Sequence, residues 1–317
     1  MLFWTIFSIA TLLSITGIAA ISYQIIKDHT ATNLSDRLPW GIYIESFFFF
    51  SALGSGTLLF SAIVVIFNLE EYYYLSKLSS AFSFGALVTA GIVLGADLGK
   101  PFRIIKMITN FNPSSPLTWD FYFLSACAVL NLVFIFDLFK NDFLLTLWAV
   151  VAILAALTFV MLHSLFFVSK SESGFRSQPF LALDVLVQAL MGGLAVINLL
   201  LTLLGNNVDI FNKGLLILLI LALAVNAGGR ICVSHTGLSL FAGKSVLALS
   251  MVSLAILFFA VGFKAELTGV TILVSVLVLA SVFLDKSHIV RHSQSGPVIP
   301  RPASQFDPPV LYTPSAV

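Results

Sequence analysis

Nine runs of mostly apolar residues follow one another along this chain, at about Leu2 to Ile26, Trp40 to Phe67, Leu78 to Ala96, Trp119 to Phe139, Phe143 to Val168, Phe180 to Leu204, Gly214 to Cys232, Lys244 to Phe263 and Thr268 to Leu284. A helix rises 1.5 Å per residue, so runs of roughly 17 to 25 residues match a hydrocarbon layer about 30 Å thick. The pattern predicts an all-α integral membrane protein with about nine transmembrane helices. Its connections are short except at Asp97 to Thr118 and in the Pro-rich stretch from Lys286 to Val317, which lack the apolar length to span. Those two segments are where a partner can be held.

Composition strengthens this picture. The chain is 59% hydrophobic and only 10% charged, against about 25% charged in an ordinary soluble domain. The formal net charge is +1 and no basic tract is present, which excludes a nucleic-acid binder. Cys127 and Cys232 lie far apart, within or at the ends of apolar runs, and read as packing residues rather than as a disulfide or a metal pair. No Lys or Arg precedes the first run, so it reads as a retained helix and not as a cleaved leader.

Nine crossings divide the loops into two sets. One set comprises the segments at Lys27 to Pro39, Asp97 to Thr118, Ser169 to Pro179 and Arg230 to Lys244 together with the C-terminal stretch. It carries 12 of the 16 Lys and Arg residues. That basic face would be cytoplasmic by the positive-inside rule.

The depth of the ionisable residues carries the most information, because such groups are expensive in hydrocarbon and mark function or a paired contact. Glu45 lies five residues in from the basic-face end of its run, Asp184 four residues in, and His163 five residues before its run exits on that side. Each is therefore roughly 6 to 8 Å below one surface. Asp97, Asp120, Tyr122, Gln188, Asn226 and Arg230 belong to the same half, and Tyr23 and Gln24 end the first run there. Asn131, Asn198 and several serines form at most a wetted path through the drier half. This asymmetry suits an amphiphile with its head group near one interface and its tail among Phe and Leu side chains. A quinone has those properties: its carbonyls need hydrogen-bond donors and its reduction consumes protons. Glu45, His163 and Asp184 are the candidate proton-handling residues. Trp40, Tyr43, Gln188 and Arg230 are candidate head-group contacts, with Arg230 stabilising negative charge on the carrier or pairing with Asp184. The bland alternative is that Glu45 pairs with Arg230 or His163 merely to neutralise itself.

Of the five histidines only His163 lies well inside a run, so no bis-histidine haem is signalled, and two separate cysteines cannot hold an iron–sulfur cluster. Electrons must then be carried by a partner, and no metal site is expected. The glycines at 54, 56, 192, 193, 228 and 229 read as points of close helix approach.

The stretch Leu38-Pro39-Trp40-Gly41-Ile42-Tyr43, then Ala52-Leu53-Gly54-Ser55-Gly56, resembles the NrfD family of polysulfide reductase membrane subunits. A more specific match is Asp97-Leu98-Gly99-Lys100-Pro101 followed by Asn110-Phe111-Asn112-Pro113-Ser114-Ser115-Pro116-Leu117-Thr118-Trp119, which is similar to that family's D-L-G-R-P and N-P-x-S-P-M-S-W loop. The similarity runs from about Leu38 to Leu284. It implies an eight-helix core of two four-helix bundles, residues 38–284, preceded by one additional helix in residues 1–37 and followed by a Pro-rich extended tail, residues 285–317. It also implies a multi-pass membrane subunit, in the inner (cytoplasmic) membrane of the cell, that exchanges electrons between menaquinone or ubiquinone and a ferredoxin-like iron–sulfur subunit. That subunit in turn serves a molybdopterin enzyme or a multihaem cytochrome. The family's head-group positions fall near Glu45 and His163, where it would have His and Tyr instead. Asp97, Lys100, Arg103, Asn110, Asn112, Pro116 and Trp119 become the expected docking surface. An exported partner would make that loop periplasmic, against the basic-residue count, although a basic surface also attracts an acidic partner. A proton-coupled secondary transporter is the alternative reading, but transporters place their sites near the midplane. A purely structural anchor would not need three ionisable residues at one depth.

Overall fold

The structure is a computed structural model. It describes residues 40–97, 112–139, 141–169, 180–205, 208–233, 250–258 and 268–293, with Tyr23 and Thr109 as isolated helical positions. All regular structure among them is helical: α1 (Ile42–Ile66), α2 (Tyr73–Asp97, after a 3-10 turn at Glu70–Tyr72), α3 (Pro116–Phe136), α4 (Asp142–Ser169), α5 (Leu181–Leu204), α6 (Asp209–Val233), the helical residues 250–258, and α7 (Thr268–Ser293). Six of these helices are long and apolar enough to cross a membrane. The first run, Leu2 to Ile26, lies outside the described residues apart from Tyr23, and the Lys244 to Phe263 run is described only in part.

The helices form two packed groups. A large core joins α1 to α4 through Phe47, Phe48, Leu58, Leu87, Leu94, Cys127, Leu130, Ala152, Phe159 and Phe167. A second core joins α5, α6, residues 250–258 and α7 through Val187, Met191, Leu215, Leu219, Leu257, Val274, Val278 and Val282. Lipid tails are as apolar as leucine, so helices in a membrane associate by close packing and interhelical hydrogen bonds rather than by the hydrophobic effect. Both devices are present. A Cβ on Gly56 would stand 2.1 Å from the Ala189 carbonyl oxygen, and one on Gly193 would stand 2.5 Å from the Gly56 carbonyl carbon. Backbone thus touches backbone where α1 crosses α5, and this contact joins the two groups. Gly54 and Gly192 likewise receive the side chains of Leu87 and Leu53.

The hydrogen bonds fall into separate sets. In the first group Ser61 Oγ donates to the Ser76 carbonyl (2.9 Å), Ser83 Oγ to the Gly54 carbonyl (2.6 Å) and Asn131 Nδ2 to Ser83 Oγ (2.9 Å). In the second, Asn198 Nδ2 donates to Asn212 Oδ1 (3.2 Å) and Asn212 Nδ2 to Thr271 Oγ1 (3.3 Å). Asn131 and Asn198 therefore tie helices within different groups and do not share one path.

The last helix departs from its predicted limits. A boundary at Leu284 follows from treating Asp285, Lys286, His288 and Arg291 as water-facing, yet α7 continues to Ser293 with Asp285, Lys286, Ile289 and Val290 buried. Only Arg291 of the four is exposed. Nine further residues lengthen the helix by roughly 13 Å, and they pack between the two groups.

Gly193→Ala is expected to destabilise the chain by about 1–3 kcal/mol, since backbone cannot yield to the new methyl. Gly85→Ala, whose Cβ would meet nothing within 4 Å, should be neutral or stabilising by about 0.5–1 kcal/mol. Thermal unfolding of both variants in detergent checks the contrast.

Candidate functional site

Helix direction places every buried acid of the predicted set at one end of the bundle. Glu45 opens α1, Asp97 closes α2, Asp120 opens α3, His163 sits near the end of α4, Asp184 opens α5, and Asp285 and Lys286 lie toward the end of α7. Glu45, Asp120, His163, Asp184, Asp285 and Lys286 are each at most 3% exposed.

Glu45 is paired, with neither of the partners that its position suggested. Arg291 Nε donates to Glu45 Oε1 at 2.9 Å, while Glu45 Oε2 is buried with no hydrogen-bond partner. The guanidinium is about half exposed, so the pair runs from the dry interior to the edge of the bundle. Arg230 lies in α6, but its side chain, like that of Asn226, is outside the described residues.

His163 is set in an aromatic shell. Its ring meets Phe159, Phe48 and Phe47 edge-on at centroid distances of 4.7, 4.9 and 5.8 Å. Phe166 and Phe167 extend that shell from Phe48, and Trp40 stacks on Phe166 at 5.0 Å. Such edge-to-face packing is the favoured geometry for aromatic pairs. Both imidazole nitrogens are buried without a hydrogen-bond partner. A buried imidazole ordinarily satisfies at least one nitrogen, so this orphaned donor and acceptor signal a missing ligand or ordered water. Tyr43 is half-buried one turn before Phe47 on the same helix.

Asp184 belongs to a third arrangement. Gln188 Nε2 donates to Asp184 Oδ2 at 2.8 Å and also to Asp285 Oδ2 on α7. Lys286 lies within electrostatic reach of Asp184, Asp285 and His163, and His288 within reach of Asp285. Glu45 and Asp184 thus both meet the final turns of α7, Glu45 through Arg291 and Asp184 through Gln188 and Asp285, while His163 feels α7 only through the charge of Lys286. Asp285 and Lys286 escape a reading of the sequence that ends the span one residue earlier. The signal that could have found them is the helical spacing of Val278, Val282, Ile289 and Val290, which continues across the charged residues.

The expected docking loop is described only at its edges. Asp97 has a buried Oδ1 with no hydrogen-bond partner, Asn112 Oδ1 caps the Ser114 amide at 3.1 Å, Pro116 occupies the first turn of α3, and Trp119 Nε1 donates to the Pro113 carbonyl at 3.0 Å. Proline fits a first helical turn, where its missing N–H has no partner to lose. Lys100, Arg103 and Asn110 lie outside the described residues. A cavity of about 300 Å³ opens at the opposite end, lined by Val65, Tyr73, Tyr74, Ser76, Lys77, Phe134, Asp137 and Leu145. It holds none of the predicted residues.

Comparisons with known proteins add a common descent to this geometry. The family model described as "Polysulphide reductase, NrfD" matches residues 30–295. A Halobacterium salinarum protein provisionally named as a membrane subunit of dimethyl sulfoxide reductase is 27% identical over 215 residues, 60% of this chain and 49% of the relative. The integral membrane subunit of an Hdr-like menaquinol oxidoreductase from Archaeoglobus fulgidus is 25% identical, over 41% of this chain and 33% of its own length. A selenate reductase subunit of Mesobacillus selenatarsenatis is 24% identical, over 43% and 32% respectively. The chain thus spans less than half the length of each of these relatives.

Removing the cation from a buried pair leaves an uncompensated carboxylate. Arg291→Ala is therefore expected to cost about 3 kcal/mol, the lower part of the range for such pairs because the guanidinium is half in water. Arg291→Ala combined with Glu45→Gln should recover most of that loss, as read by a double-mutant cycle of unfolding in detergent.

Proposed function

Because this chain belongs to the NrfD (polysulphide reductase) family, we propose that it is the quinone-reactive membrane subunit of a respiratory oxidoreductase complex. In this reading it exchanges electrons between menaquinone or ubiquinone and a docked iron–sulfur subunit. The observation that carries the reading is the buried, unpartnered His163 imidazole within an aromatic shell, at the same end of the bundle as the half-satisfied carboxylate of Glu45. Those orphaned polar atoms fit a quinone head group, which offers two carbonyl acceptors or two hydroxyl donors.

Quinol, when bound, supplies two electrons and two protons. His163 would hold one oxygen of the head group by a hydrogen bond, and Trp40, Phe47 and Phe48 would exclude water around it. Glu45 would take a proton at Oε2, while Arg291 at its other oxygen keeps the carboxylate oriented and links it to the water edge. Asp184 would receive the other proton. General acid–base groups of this kind must lie within hydrogen-bond reach of the proton they move, and the buried atoms on α1 and α4 satisfy the polarity and depth this requires. The same groups serve the reverse direction, quinone reduction.

The chain's own chemistry ends with the protons, and the electrons need an acceptor in a partner. Asp97 and the residues from Asn112 to Thr118 lie at the same end as the site, so a ferredoxin-like subunit docked through Asp97, Lys100, Arg103, Asn110, Asn112, Pro116 and Trp119 would bring a cluster near the quinone. That subunit would serve a catalytic molybdopterin or multihaem cytochrome subunit, with the whole complex in the inner (cytoplasmic) membrane of the cell. The basic-residue count is a weaker guide to orientation than the sequence suggests, because two of the twelve residues on that face are not loop charges: Lys286 is buried and Arg291 is committed to Glu45.

Glu45→Gln should lower quinol-dependent turnover by on the order of a hundredfold while the complex stays assembled. His163→Leu should raise the dissociation constant of a quinol-analogue inhibitor by roughly tenfold, the loss of about one hydrogen bond at 1.4 kcal/mol. Steady-state kinetics and inhibitor titration on membranes containing the whole complex measure both; unchanged values would remove these residues from the mechanism.

A further inference from the structure

Four helix ends meet at the face opposite the candidate site, and the cavity of about 300 Å³ opens among them. Its apolar wall comes from Val65 of α1, Phe134 of α3 and Leu145 of α4, all packed on the large core. Its polar rim is Tyr73, Tyr74 and Lys77 of α2 together with Asp137, which ends α3 in the left-handed conformation. Val65, Lys77, Phe134 and Leu145 lie one to four residues from the ends of their helices, within roughly 6 Å of where the spans stop. That is the depth of lipid headgroups, where tyrosines and snorkelling lysines gather.

The chemistry of the rim narrows the ligand. Lys77 Nζ donates to Asp137 Oδ2, and the two side chains are 45% and 63% exposed. A pair so open to water contributes little by itself, so a ligand can part its members without much loss. The pair is neutral as a whole, which favours neither an anion nor a cation alone and suits a molecule that carries both charges. A phosphate at Lys77 and an ammonium at Asp137 would replace one charge-assisted contact by two. Tyr74, 64% exposed, offers the ammonium an aromatic face. A quinone has no formal charge to answer either member of the pair.

The surroundings suit the rest of such a molecule. Leu144, Leu147, Val151 and Leu154 are exposed along α4 from the same end, at the helical spacing that makes one continuous stripe. An exposed apolar stripe on a spanning helix faces acyl chains, and it begins at the level of the cavity.

We propose that this cavity binds one zwitterionic phospholipid of the phosphoethanolamine type, from the leaflet at the end of the bundle opposite His163. Its phosphate sits on Lys77, its ammonium on Asp137 beside Tyr74, and its glycerol end against Val65, Phe134 and Leu145. Because that lining comes from α1, α2, α3 and α4, the bound headgroup fastens the ends of all four. The site stands whether or not a quinone binds at the other end.

The test uses the full chain, purified in detergent and stripped of lipid. Phosphatidylethanolamine and phosphatidylglycerol with the same acyl chains are offered in equal amounts, and native mass spectrometry reads what is retained. The wild type should hold one phosphatidylethanolamine roughly tenfold more tightly than phosphatidylglycerol. Asp137→Asn, which keeps a residue tolerant of the left-handed conformation, should erase that preference. Lys77→Gln should weaken both lipids by roughly tenfold. Lys213→Gln, which removes an exposed lysine near the start of α6, should change neither affinity. Equal retention of the two lipids by the wild type overturns the proposal, and so does a loss in Lys213→Gln as large as that in Lys77→Gln. In the whole complex within its membrane, Tyr74 replaced by a photoreactive benzoylphenylalanine should become attached to phospholipid. Attachment to a quinone or to a protein subunit instead also overturns it.

Discussion

A lysine enclosed in a membrane bundle has to be matched by negative charge, and meeting that requirement shapes the end of this protein where its candidate chemistry lies. Taking an ion out of water costs several kcal/mol even after relaxation, and only close counter-charge and hydrogen bonds offset it. Asp285 on its own helix and Asp184 on α5 act on Lys286 through their charge, and the amide of Gln188 bridges those two. α7 stays helical to Ser293, and its final turns pack against both helix groups.

From that placement the rest of the site follows. Because α7 ends inside the bundle, Arg291 reaches Glu45 on α1, and Lys286 comes within reach of His163 on α4. One helix therefore links α1, α4 and α5, the three elements that carry the predicted residues. The opposite end has no comparable concentration of buried acids among the described residues. Its interior polarity is neutral, made of serine, threonine and asparagine, several of which bond one another or the backbone across helix pairs. Neutral hydrogen bonds tie the helices through the interior, and among the described residues the buried acids lie at the site end.

The two groups of helices are joined by contact of backbone with backbone at Gly56 and Gly193. A crossing this close leaves little freedom for one group to rock against the other, as an alternating-access transporter requires. A fixed scaffold suits a carrier site better, since electron and proton transfer need stable distances rather than large motions. Family membership and the buried, unsatisfied imidazole point the same way, while the relatives share less than half their length with this chain.

The sequence by itself determined that this is a helical membrane protein, because no other fold can bury so many long apolar runs. It also determined the sidedness of Glu45, His163 and Asp184, since depth along a span is simple counting at a fixed rise. The glycines at 54, 56, 192 and 193 were legible as contacts for a related reason: a residue without a side chain in a packed helix marks an approaching neighbour. Rotation about the helix axes and the identity of partners were not legible. Arg291 rather than Arg230 or His163 meets Glu45, and Gln188 links Asp184 to a residue 101 positions away, because contact across helices depends on which faces pack together. The end of α7 was decided only in three dimensions: Asp285 and Lys286 look like a membrane exit until a facing helix supplies the carboxylate that makes their burial affordable.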